Sequence, residues 1–74
     1  MDHVAILITK ENCNEYRTEL HHAVGTPNGY DPSYWTGYYL VVAEGGPEIM
    51  TATRFANTYV FVIDPTKLMP IRTR

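Results

Sequence analysis

The stretch Gly45-Gly46-Pro47-Glu48-Ile49-Met50-Thr51-Ala52-Thr53-Arg54-Phe55-Ala56-Asn57 decides the fold, because it supports two readings. As a strand over 48–54, Ile49, Thr51, Thr53 and Phe55 alternate with Met50, Ala52, Arg54 and Ala56, directly after a Gly-Gly turn. Alternation places successive side chains on opposite faces, and β-branched residues suit a pleated surface. As a helix over 47–57, Pro47 takes the first helical position, Glu48 the first turn, Arg54 the last, and Asn57 closes it. The strand is preferred, because its β-branched residues fall on alternate sites after a hairpin signal. It gives an α+β domain of order β-α-β-β-β, one helix against a small, mostly antiparallel four-stranded sheet. The helical alternative gives β-α-β-α-β.

Outward from this stretch the elements are plainer. Residues 3–9 hold the apolar run Val4 to Ile8, residues 38–44 the run Tyr38 to Ala43, and residues 58–63 read Thr-Tyr-Val-Phe-Val-Ile. Continuous apolar runs of strand length belong to strands covered on both faces. Residues 12–24 predict an amphipathic helix, with Cys13, Tyr16, Leu20, Ala23 and Val24 on one face. Glu11, Glu15, Thr18, Glu19 and His22 fall on the other face. Asn12 with Glu15 three residues on makes a capping-box variant, and Gly25 supplies the left-handed stop. In the long connection 25–37, Pro27-Asn28-Gly29 marks a turn, and Asp31-Pro32 the cap and first position of one helical turn. The tail from Thr66 carries spaced apolar residues among prolines, and is expected to drape over the edge of the core.

Length and composition set the limits. Seventy-four residues make one small domain, 1–74, without mass for a second core. Leu, Ile, Val and Phe number 17 of 74 and charged residues 19%, too apolar and too weakly charged for a disordered chain. The single cysteine excludes a disulfide framework and a cysteine-rich zinc module. No apolar run approaches the roughly 20 residues of a membrane span, and Met1-Asp2-His3 is no basic secretory start. The expectation is a complete intracellular, cytoplasmic chain with no membrane partner. Net charge is −2, split as −5 over residues 1–50 and +3 over 51–74.

Chemistry-bearing motifs are absent. Gly45-Gly46-Pro47 lacks the Lys-Ser/Thr of a phosphate loop, and Ser33, the one serine, is not in a nucleophile elbow. Glu19 and His22 share a helix face, but a metal needs two further ligands and His3 is the only other candidate histidine beside His21. No catalytic residue, metal or cofactor is therefore expected. The positive signal is aromatic: Tyr30, Tyr34, Trp35, Tyr38 and Tyr39 place five of nine aromatics within ten residues. Tyr and Trp offer large contact area with few rotatable bonds, which makes them anchors at protein interfaces. Glu11, Glu15 and Glu19 add an acidic row at i, i+4, i+8.

Together these features predict a non-enzymatic interaction protein that occupies or inhibits another macromolecule, with another protein as the partner. Its partner-binding residues would be Tyr30, Tyr34, Trp35, Tyr38, Glu11, Glu15 and Glu19. Small acidic domains without catalytic motifs are the products viruses and phages deploy against host proteins, so an infected host cell is one setting. Apolar strands that one helix cannot cover on both faces predict a homodimer or higher oligomer. Two alternatives belong to other classes. One is a minimal enzyme or ligand-binding domain with a site of His21, His22, Glu19 and tyrosines at a subunit junction. The other is a single-stranded nucleic-acid binder stacking bases on the rings, disfavoured because residues 30–39 hold no Lys or Arg.

Overall fold

In the computed structural model, which describes residues 3–25, 31–61 and 64–74, the ambiguous stretch is divided between both readings. Strand β3 runs Gly46–Met50 and helix α2 runs Ala52–Thr58. The switch falls on Thr51, whose extended backbone and side-chain oxygen, accepting from the Arg54 N–H at 3.2 Å, start the helix as an N-cap. The other elements are β1 (His3–Leu7), α1 (Arg17–Val24), a 3₁₀ turn (Pro32–Trp35), β2 (Tyr39–Ala43), β4 (Tyr59–Phe61) and β5 (Met69–Thr73). The sheet has five strands in the order β3-β2-β1-β5-β4, every neighbouring pair antiparallel. The class is α+β, with one strand and one helix more than the sequence reading counted.

The added strand is the tail. Instead of draping over an edge, Met69–Thr73 inserts between β1 and β4, pairing His3 with Ile71 and Tyr59 with Thr73. Asp64-Pro65-Thr66 leads into it. The Asp64 carboxylate accepts from the Thr66 N–H at 2.9 Å and hydroxyl at 2.7 Å, and the Pro65 carbonyl accepts from the Leu7 N–H at 2.7 Å.

The expected helix 12–24 is shorter. Residues 10–16 form successive turns, and regular α-helix begins at Arg17. Asn12 does not cap a helix but ties the turn to β1. Its side-chain oxygen accepts from the Thr9 N–H at 2.8 Å, while its amide donates to the Leu7 carbonyl at 3.0 Å. Gly25 ends α1 at φ 60°, as expected. The β2–β3 hairpin turns at Glu44-Gly45 into Gly46, whose φ of 109° requires glycine.

Both sheet faces carry core. One holds Ile6, Ile8, Leu40, Cys13 and Leu20, with Tyr16, Ala23, Trp35, Val42 and Ile49 packed on them, and α1 lies along β3. The other holds Ala5, Val41, Met50, Ile71 and Phe55, flanked by Tyr39 and Tyr59. Phe55, 4% exposed, stacks on Tyr39 with ring centroids 4.1 Å apart at 3°. The expectation that a single helix leaves one sheet face bare is corrected: α2 lays Phe55 on it.

Candidate functional site

The aromatic cluster is built on the 3₁₀ turn, which local chemistry makes rigid. Asp31 caps it: one carboxylate oxygen accepts from the Ser33 N–H at 3.0 Å and from the Ser33 hydroxyl at 2.9 Å. These two bonds, and after them the Arg17 charge, hold the Asp31 carboxyl below the usual carboxylate range. Pro32 presets the first helical position and is buried. The Thr36 hydroxyl donates to the Ser33 carbonyl at 2.8 Å. The turn is then pinned to the end of β1 from both sides. Gly37 N–H donates to the Ile8 carbonyl and Ile8 N–H to the Tyr38 carbonyl, each at 2.9 Å.

On this frame three rings interlock edge to face. Tyr34 and Trp35 have centroids 4.9 Å apart at 79°, and Trp35 and Tyr38 5.2 Å apart at 83°. Such tilted pairs match the positive edge of one ring to the negative face of the next. Tyr34 is 73% exposed, and with Leu68 at 47% it is one of two exposed large apolar side chains among the described residues. Trp35 is half-buried against the α1-side core, and its indole Nε1 is buried without an acceptor among the described residues. Trp35 thus acts as the root of the cluster and Tyr34 as its tip. Tyr30 lies outside the described residues.

The acidic row is arranged differently from a helical stripe. Glu11 and Glu15 stand in the turns before α1 and are exposed, while Glu19 lies in the helix and is half-buried. Glu15 and Glu19 nevertheless converge on Tyr16. Burial, then the charges of Glu15 and Glu19, push its hydroxyl above the usual tyrosine range. Tyr16 packs on the same core cluster as Trp35, and α1 touches the 3₁₀ turn. The sheet therefore brings the aromatic turn and the acidic end of α1 to one side of the molecule.

No family model, curated protein or solved structure matches this chain. The site has to be read from its own chemistry.

His21 and His22 sit exposed in α1, their rings 6.4 Å apart. Among the described residues no three His, Cys, Asp or Glu side chains group to hold a metal. Cys13 is buried, its Sγ donating to the Lys10 carbonyl at 3.6 Å. No helix of the described residues is long and apolar enough to cross a membrane.

Sequence reasoning missed a second exposed feature. Register puts Val4, Pro70, Arg72 and Val60 on one sheet face, since Val4 opposes Pro70 and Val60 opposes Arg72. Val4 alternates with Ala5 and so shares the face of Ile6, the α1 side. Pro70 and Arg72 are exposed there, Val4 and Val60 half-exposed, and exposed Leu68 leads into β5. The only signal in the sequence was the spacing of Leu68, Pro70 and Arg72 at alternate positions, in a segment not recognised as a strand.

Proposed function

We propose that this chain is a small non-enzymatic interaction protein that docks on another protein through its aromatic turn, with Tyr34, Trp35 and Tyr38 as anchors. The acidic group Glu11, Glu15, Glu19 and Asp31 lines the approach. The observation carrying this reading is the exposure of Tyr34 on a turn held by two Asp31 bonds and two backbone bonds to β1. A large exposed ring is ordinarily mobile, and ordering it on binding costs about 0.5–1.5 kcal/mol per side chain. Packing against the half-buried Trp35 lowers that cost in advance, which is how rigid aromatic anchors gain affinity. The carboxylates select partners of opposite charge and speed their encounter.

Affinity capture from extract of the native source, with wild type and Tyr34→Ala in parallel, tests the proposal. Tyr34 is exposed, so the variant keeps its fold. A protein retained by the wild type and lost with Tyr34→Ala is the expected result. Identical retention by both chains contradicts it.

A further inference from the structure

We infer that the α1-side face of the sheet is also where the chain meets a second copy of itself, the aromatic turn of each copy resting on the Leu68–Pro70–Arg72 strip of the other. The inference rests on reading the aromatic turn as an interaction surface, and it names one occupant of that surface.

Three observations carry it. First, the face is covered unevenly. Helix α1 lies along β3, at one edge of the order β3-β2-β1-β5-β4. At the other end of the same face, Val4, Val60, Pro70 and Arg72 retain exposure. A raised half beside a low half is self-complementary when two copies stack face to face about a twofold axis. Second, of the two exposed large apolar side chains among the described residues, Tyr34 stands in the aromatic turn and Leu68 directly before β5. Third, their surroundings carry opposite charge. Near the turn and α1 stand Glu11, Glu15, Glu19 and Asp31 against Lys10 and Arg17. Along the β5 segment stand Arg72 and, beside Asp64, Lys67, while Arg74 donates to the Ala56 carbonyl of α2. Stacking β5 on β5 would bring Arg72 against Arg72. Exchange of unlike halves instead sets Arg72 beside carboxylates and within reach of a tyrosine ring, where a guanidinium is attracted both by charge and by the ring face.

Sedimentation velocity on the full chain, over a concentration series at low and high salt, tests this. The wild type should sediment at twice 8.5 kDa and dissociate on dilution and on raising salt. Arg72→Glu, and separately the pair Glu15→Arg with Glu19→Arg, should each remain monomeric with unchanged circular dichroism. Mixing those two variants should restore a dimer, because both exchanged contacts regain opposite charge. A wild type that is monomeric throughout, or an Arg72→Glu chain that dimerises like the wild type, overturns the inference. A monomeric wild type whose captured partner is still lost with Tyr34→Ala overturns self-association alone. If Tyr34→Ala changes neither capture nor sedimentation, the docking reading falls with it.

Discussion

Phe55 and Trp35 each hold a face of the sheet, but under different constraints. Phe55 has no polar atom to satisfy and lies flat on Tyr39 with Tyr59 beside it, centroids 5.7 Å apart. Phe55→Ala should cost about 3–5 kcal/mol, measured by chemical denaturation, because the helix that carries it leaves no side chain able to fill the space. A cost below about 1 kcal/mol would place Phe55 outside the core. Trp35 packs its ring on the opposite core, its indole N–H buried and without an acceptor among the described residues. Its replacement by Ala should therefore destabilise the fold, unlike that of Tyr34. Asp31, Pro32 and Thr36 make the turn stiff enough to seat the Trp35 ring.

At the scale of elements, two Asp-Pro-Ser/Thr turns repeat one device. Asp31 accepts from the N–H and O–H of Ser33, and Asp64 from those of Thr66. Both carboxyls are held below their ordinary 3.8 by those bonds. A carboxyl whose folded pKa is depressed stabilises above its unfolded pKa and loses that contribution as pH falls through the folded value. Stability should thus be flat from neutrality to about pH 5, then decline below about pH 4. Carboxyl carbon chemical shifts should place both titration midpoints below the ordinary aspartate value. Midpoints at or above the ordinary carboxylate value would deny the turns this role. Removing the Thr51 cap by Thr51→Ala should cost about 1 kcal/mol and fray α2 first, visible in amide exchange.

How far these elements could be foreseen follows from their local signals. The runs Val4–Ile8 and Tyr38–Ala43 are apolar over strand length, and Gly25 and Asp31-Pro32 are unambiguous punctuation. All four were legible. Residues 48–54 were not, because Thr51 serves as the last extended residue and the cap of a helix at once, so a single label over the segment fails. Strand β5 was hidden by Pro70, which cannot donate to a ladder and argues against an interior strand. Its partner β1 lies at the other end of the chain, and only the assembled sheet selects a strand inserted between β1 and the preceding β4. The exposed end of the site, Tyr34, was visible as part of an aromatic cluster. The Leu68–Arg72 strip was lost along with β5.

At the scale of the molecule, the charge separation along the chain becomes a difference between surfaces, because α1 and the 3₁₀ turn sit on one half of a sheet face and β5 on the other. Arg54, the remaining base of the C-terminal segment, is engaged at 3.7 Å by Glu48 across the β3–α2 junction. Both members are exposed, so Arg54→Ala should change stability by no more than about 0.5 kcal/mol in denaturation. The central feature of this fold is a stiff turn that raises one tyrosine into solvent above a half-buried tryptophan. The most direct measurement is the affinity of the captured partner for wild type and for Tyr34→Ala, by titration calorimetry at matched chain concentration. The expected result is a loss of about 2 kcal/mol or more, roughly 30-fold in Kd, with the melting temperature of the free chain unchanged. Equal affinities for the two chains would contradict the claim that this turn is the docking surface.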